Sequence, residues 1–285
     1  MKPAPFIRHV PRTVDEAVRI LAEVAPEDGR VLAGGQSLVP IMAFRLAKPA
    51  HLVDINEIEE LGRIQSDGKT LSVGARVRHA AFHKFVVPGP LGAILTHVAR
   101  HIAHYPIRTR GTFCGSIAHA DPASEWCLLV ATLDATIVAR SARGERLIAA
   151  KDYFQGIMTT ALAEDELLTE VRIAIPPSDT TFGFNEFNRR TGDFAIAASL
   201  VSYRLKDGKI VEPRIGVGGA EPAPRRLTQV EQLLDGQAPG DAAFRQVAEI
   251  ASQVIEPLQD HQTSFDYRCD LVRAVVRRAL EMAAR

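Results

Sequence analysis

The stretch from Arg108 to Glu125, Arg-Thr-Arg-Gly-Thr-Phe-Cys-Gly-Ser-Ile-Ala-His-Ala-Asp-Pro-Ala-Ser-Glu, constrains this chain more than any other. Small or hydroxylated residues cluster at Gly111, Thr112, Gly115 and Ser116. Small side chains let backbone N–H groups approach an anion, and hydroxyls donate to it. Asp121-Pro122 then reads as a helix start, Asp at the N-cap and Pro at the first helical position. A phosphate-cradling loop that feeds a helix is one reading, and an ordinary surface turn is the other. A second segment is built the same way. Val31-Leu32-Ala33 reads as a short buried strand that runs into Gly34-Gly35-Gln36-Ser37, with a helix-like segment over 38–46. Strand, double glycine, hydroxyl and helix make a further anion-cradle signature. Neither GxGxxG nor GxxxxGK[ST] is present, which excludes a Rossmann fingerprint and a P-loop.

The remaining elements frame these two loops. Thr13-Val-Asp-Glu16 is a capping box, and Val14, Ala17, Val18 and Leu21 continue at helical spacing, so residues 13–24 are expected to be an amphipathic helix. Residues 51–55 read as the strand that returns beside the first. Asp67-Gly68 between Ile64 and Leu71/Val73 predicts a hairpin. Helices are expected over about 78–86, 91–103 and 122–132. Strands follow at 135–139 and 146–149, joined at Arg143-Gly144, and at 167–175. Pro176-Pro177 marks the expected division into residues 1–177, itself split near 58/59, and 178–285. Beyond it three antiparallel strands, 182–188, 196–205 and 210–217, precede helical patterns around 227–234, 241–256 and 268–284. This order predicts an α+β protein.

Lys+Arg and Asp+Glu each total 34, so the net charge is zero and no basic excess speaks for nucleic acid. The longest apolar candidate, residues 126–139, is interrupted by Thr132, Asp134 and Thr136 and is too polar to span a membrane. The N-terminus lacks an apolar signal core, and a soluble cytoplasmic protein is expected. Cys114, Cys127 and Cys269 are too few for a disulfide framework or for an iron–sulfur cluster, which takes four ligands. His97, His101 and His104 are spaced for one helix face, but their neighbours are apolar or basic, and no metal site is expected.

The two cradles together carry a resemblance. Ala33-Gly34-Gly35-Gln36-Ser37 with the run from Leu38 to Arg45, and Thr112-Phe-Cys-Gly115 with Ser-Ile-Ala-His-Ala-Asp-Pro, resemble the FAD-binding medium subunit of molybdenum hydroxylases. That group includes the medium subunit of aerobic carbon monoxide dehydrogenase and the flavin part of xanthine dehydrogenase. The resemblance covers nearly the whole chain. It implies a fold like that of vanillyl-alcohol oxidase (PCMH-type), in which two α/β subdomains clamp FAD, plus a C-terminal three-stranded antiparallel sheet with helices. It also implies an oxidoreductase in a dimer of heterotrimers, with a small subunit that holds two [2Fe–2S] clusters and a large molybdopterin subunit. Substrate reacts at molybdenum, electrons cross the clusters, and FAD passes them to an external acceptor.

Position by position, the resemblance puts Ala33, Gly34, Gly35, Gln36 and Ser37 at the pyrophosphate, with Leu32 and Leu38 beside the cofactor. Thr112, Cys114, Gly115 and Ser116 fall in the second phosphate loop, and Ala118 next to it. Glu125 matches an acidic position that meets ribityl hydroxyls, where a carboxylate accepts two hydrogen bonds. Leu167 and Leu168 match a strand that edges the adenine or the ring, and Arg189, Asp193 and Phe194 a segment near the isoalloxazine. Two departures stand out. The second loop usually has two adjacent glycines, and here the first is Cys114; a cysteine is strained at φ > 0, so φ < 0 is expected. Relatives often have Tyr where Phe194 stands, which removes a hydroxyl near the flavin. Two alternatives remain open, a stand-alone FAD-dependent oxidase or reductase of the same fold, and a scaffold subunit that has lost FAD.

Overall fold

The computed structural model describes residues 2–260 and 263–285. A first layer holds β1 (Ile7–His9), α1 (Val14–Val24), β2 (Gly29–Leu32), α2 (Leu38–Ala43) and β3 (His51–Asp54). Thr13 Oγ1 accepts from Glu16 N, and the Glu16 carboxylate reaches back to Arg12 N at 2.8 Å, so the capping box closes one residue early. Val14, Ala17, Val18 and Leu21 bury one face of α1. β3 is the central strand of a parallel sheet ordered β1-β3-β2, as expected for a strand that returns beside β2. The end of β2 therefore opens directly into the glycine pair.

A second layer follows with β4 (Ile64–Ser66), β5 (Thr70–Gly74), α3 (Gly89–His101), α4 (Tyr105–Arg108), α5 (Phe113–His119), α6 (Glu125–Thr132), β6 (Thr136–Ser141), β7 (Gly144–Ala149), α7 (Ala150–Tyr153), the small hairpin β8 (Phe154–Gly156) with β9 (Thr159–Thr160), and β10 (Leu167–Ala174). β4-β5-β10-β6-β7 form one wholly antiparallel sheet, with the expected hairpin at Asp67-Gly68. The helix expected over 78–86 is only a 3-10 turn, His79–His83. His97 and His101 share α3, with ring centroids 5.0 Å apart, but His104 lies past the helix end as the N-cap of α4.

The C-terminal layer holds β11 (Thr181–Phe187), β12 (Ala197–Lys206), β13 (Lys209–Gly218), β14 (Arg225–Arg226), α8 (Thr228–Leu234), α9 (Asp241–Val254) and α10 (Phe265–Ala283). The three expected strands pair antiparallel, and a fourth of two residues, β14, adds to β13 just after the proline-rich turn. All eight residues of α6 are buried, because this helix lies between the second layer and the C-terminal sheet. A Cβ on Gly216 of β13 would sit 1.8 Å from Thr132 Oγ1 and 3.0 Å from Leu128. Glycine at that position is what lets the sheet approach α6 closely.

Candidate functional site

The two glycine loops meet back to back. A Cβ built on Gly34 would lie 2.4 Å from the Arg110 carbonyl oxygen and 2.7 Å from Gly111 Cα, so the first loop rests on the backbone of the second. Gly35 adopts φ +72°, a left-handed conformation open to glycine at little cost. Among the described residues, that turn leaves the N–H groups of Gly35, Gln36, Ser37 and Leu38 without backbone acceptors, while Val39 N–H donates to Gly35 O and starts α2. Ser37, at the N-cap, makes no side-chain capping bond, so its hydroxyl is also uncommitted. Gln36 folds its amide onto Gly34 O at 3.2 Å. Leu32, Ala33 and Leu38 are half-buried around this turn.

The second loop differs from its expected form. Residues from Phe113 onward are already helix α5, with Thr112 as N-cap, and Thr112 Oγ1 accepts from Gly115 N at 3.0 Å. Gly115 N–H is thereby consumed, and the Thr112 hydroxyl proton stays available to donate. Ser116 is half-buried, its hydroxyl without a hydrogen-bond partner among the described residues, and Ala118 is exposed on α5. α5 ends at Ala120, whose φ is +53°, and α6 begins at Glu125 with Ser124, not Asp121, at the N-cap. Asp121 instead accepts from Ala123 N at 2.9 Å and closes a local turn.

Cys114 sits in α5, outside the left-handed region, with its Sγ–H donating to Val73 O at 3.4 Å. It is fully buried, and burial drives its thiol far above the ordinary range. Its side chain belongs to the hydrophobic core. An inert cysteine follows.

Residues that the sequence reading did not single out join the loops. Asn56 donates to Ala33 O at 2.8 Å and accepts from Arg78 Nη2, while Arg78 Nη1 donates to Arg110 O. Arg76 donates to Asn56 O. Burial, then Arg110 and Arg76, hold the Arg78 guanidinium below its ordinary pKa, with Asp54 offsetting only part. Three cations crowded beside free N–H donors make a place that an anion would stabilise. Behind Gly111 stands His79, which accepts from Trp126 Nε1 at 3.0 Å. Burial, then Arg108 and Arg78, push His79 down to about 4, so it is neutral at physiological pH. Asn56 lies two residues past β3, in the turn Ile55–Glu57, a place readable from topology; Arg76, Arg78 and His79 carry no local signal.

Around these loops the other expected residues divide. Arg189, Asp193 and Phe194 are exposed on one turn after β11, Phe194 at 72 %. Asn188 fastens that turn by donating to Asp193 O at 3.4 Å, and Gly192 lies against the His104 ring. Glu125 is buried at the head of α6; burial, then Glu186 and Asp121, push its carboxyl up to about 8. Leu167 and Leu168 are buried in the hydrophobic core on β10, paired with Arg140 and Ala139 of β6.

Comparison with known proteins agrees with this geometry. Residues 4–177 match the family described as FAD binding domain in molybdopterin dehydrogenase, and residues 182–283 match CO dehydrogenase flavoprotein C-terminal domain. The chain is 36% identical over 281 residues to the nicotine 6-hydroxylase medium subunit of Paenarthrobacter nicotinovorans, covering 97% of this chain and 96% of that one. It is 34% identical over 284 residues to the carbon monoxide dehydrogenase medium chain of Afipia carboxidovorans, covering 99% and 98%. Among solved structures, carbon monoxide dehydrogenase of Hydrogenophaga pseudoflava superposes with a TM-score of 0.95 at 34% identity, over 100% of this chain and 99% of that one. Quinoline 2-oxidoreductase of Pseudomonas putida 86 gives 0.92 at 35%, over 100% and 98%. With its paired glycine loops, its α+β layers and full-length matches, the chain belongs to the FAD-binding medium subunits of the molybdenum hydroxylase family of oxidoreductases.

Proposed function

We propose that this chain retains FAD across its two back-to-back loops and hands electrons from a partner's iron–sulfur clusters to an external acceptor. The observation that carries the reading is the close seating of Gly34 on Arg110 and Gly111, with uncommitted donors at residues 35–38 and Arg76, Arg78 and Arg110 crowded alongside. FAD, when bound, supplies the exchange between paired and single electrons. The N–H groups of residues 35–38, the Ser37, Thr112 and Ser116 hydroxyls, and the backbone of Ala33, Gly34 and Cys114 would hold the pyrophosphate, with Gly115 making room for the Thr112 cap and the arginines offsetting the charge. Leu32, Leu38 and Ala118 would pack beside the cofactor, and Leu167 and Leu168 support its pocket from the core. Glu125 would take the ribityl hydroxyls, and Arg189, Asp193 and Phe194 would border the ring.

The partners proposed are a small [2Fe–2S] subunit and a large molybdopterin subunit, in a dimer of heterotrimers in the cytoplasm. Two relatives are named as medium chains or subunits, and a third as a subunit of a dehydrogenase complex, which supports such an assembly. Phe44 and Leu46, 70 % and 80 % exposed just after α2, are a fitting contact for a neighbour beside the first loop. No described helix is long and apolar enough to cross a membrane. The chain is proposed to divide near residue 177. The test is purification of the chain with its neighbouring subunits: one FAD per copy and co-elution with iron- and molybdenum-containing chains are expected. Flavin-free protein that elutes alone would refute the reading.

A further inference from the structure

Residues 68–120 hold no Asp or Glu, yet they carry two lysines, five arginines and six histidines, in a chain whose charges sum to zero. Arg76 and Arg78 of this run serve the glycine loops. Most of the rest gathers where α3 ends and α4 begins, with Arg100, His104, Tyr105 and Arg110 exposed. The His83 and Tyr105 rings lie 5.6 Å apart, which brings the exposed Lys84 to the same face. The 188–194 turn lies against it too: a Cβ on Gly192 would sit 2.7 Å from His104 Cε1. That turn adds the exposed Arg189 and Arg190, with Asp193 as its own acid. Glu186, two residues before the turn, is only 5 % exposed and accepts from His101 at 3.1 Å. Among the described residues, Lys84, Arg100, Arg110, Arg189 and Arg190 form no ion pair, whereas fifteen arginines elsewhere do.

Like charges kept side by side repel one another, so a face that keeps them unpaired favours a partner of opposite sign. Arginine interspersed with the exposed Tyr105, Ile107 and Phe194 has the make-up of a protein-binding face. Charge dominates it, and charge sets the rate of encounter more than its tightness. This suits the small, short-lived contacts of electron transfer. We propose that this face docks the external electron acceptor, and that the acceptor is an acidic carrier protein that takes one electron at a time. Two carriers in turn each take one electron, which removes both electrons of a reduced flavin, and its two protons pass to water. That the face lies on the electron path rests on the FAD reading, through Phe194 on the same turn; that it binds an acidic protein does not.

The experiment uses the flavin-loaded complex of the chain with its neighbouring subunits and two probes that share one haem. These are native cytochrome c, which is basic, and cytochrome c succinylated on its lysines, which is acidic. Association of each with the oxidised complex is followed by biolayer interferometry, and haem reduction by the reduced complex by stopped flow. The acidic probe should bind at about 10 mM salt and be released near 1 M, as the Debye length falls from about 30 Å to about 3 Å. Arg100→Glu combined with Arg190→Glu should slow its association roughly tenfold or more at low salt, and haem reduction by the same factor. Lys84→Glu alone should give a smaller drop. Native cytochrome c should not be slowed by these changes, and Arg278→Glu, an exposed and unpaired arginine on α10, should alter neither probe. Reoxidation by oxygen, which is uncharged, should be the same in all variants. Association of the acidic probe with the double variant as fast as with the wild type would overturn the proposal. So would slowed association with undiminished haem reduction, or binding seen only when the chain is stripped of its neighbours. A complex without flavin would refute the functional reading, while the association data still judge the face.

Discussion

Gly34→Ala tests the central geometric claim, that the two loops are seated directly on each other. The added Cβ would lie 2.4 Å from Arg110 O, where ordinary contact begins at 3.4 Å, so the loops must part by about 1 Å. Both nearby atoms are backbone, held by the Asn56 and Arg78 bonds, and neither can swing aside. Overpacking of this kind costs roughly 1–3 kcal/mol, and at about 2–4 °C per kcal/mol for large chains the melting midpoint should drop by some 2–12 °C. A shift of about 1 Å also takes the donors out of register with a shared pyrophosphate, because an N–H···O bond weakens sharply beyond about 3.2 Å. Flavin content after gel filtration and the melting midpoint by calorimetry measure the two effects. Gly35→Ala should behave differently: its φ of +72° costs about 1–2 kcal/mol, but the nearest atom, Val39 Cγ2 at 3.1 Å, is a side chain that can yield. Gly68→Ala, in an open turn, should leave FAD binding unchanged. A Gly34→Ala chain with full flavin and an unaltered midpoint would refute the back-to-back arrangement.

Three further outcomes follow. Cys114→Gly, which would restore the commoner loop sequence, should destabilise the chain by about 2 kcal/mol, since glycine in a helix costs about 1 kcal/mol and the buried sulfur leaves a void; urea unfolding measures it. Phe194→Ala should leave chain stability within about 0.5 kcal/mol, as for other exposed sites, yet weaken FAD binding by roughly 1 kcal/mol if the ring stacks on the flavin; titration of both quantities separates a surface ring from a cofactor contact. Asn56→Ala should lower the melting midpoint and the flavin content together, because it frees Ala33 O and the Arg78 head at once.

Local signals were legible in the sequence, and long-range ones were not. The Thr13 cap of α1 and the Asp67-Gly68 hairpin follow their local signals, with the Glu16 side chain closing on Arg12 N instead of Thr13 N, because each depends on residues within four positions. The glycine loops are visible for the same reason, and the two motifs together, at their separation, carry the resemblance to the family, which neither carries alone. α5 was missed because Thr-Phe-Cys-Gly-Ser has poor helix propensity; the Thr112 cap and burial of Phe113, Cys114 and Ile117 override it. The start of α6 was placed too early because Asp121-Pro122 imitates a cap, whereas Ser124 provides it. Asn56, Arg78 and Glu186 gain their places from segments far apart in the chain, which no spacing rule connects.

The hydrogen bond between Trp126 and His79 gives the chain a built-in optical probe. Trp126 is the only tryptophan, packed against Phe82 and Phe113 with ring centroids 5.0 and 4.8 Å away. His79 in turn backs Gly111, so the sole indole emitter stands one residue behind the second loop. Flavins absorb at the wavelengths where indole fluoresces, so a flavin seated on these loops quenches that emission by energy transfer. Occupancy can therefore be followed in the unlabelled chain, and a movement of Gly111 reaches the emitter through a single imidazole.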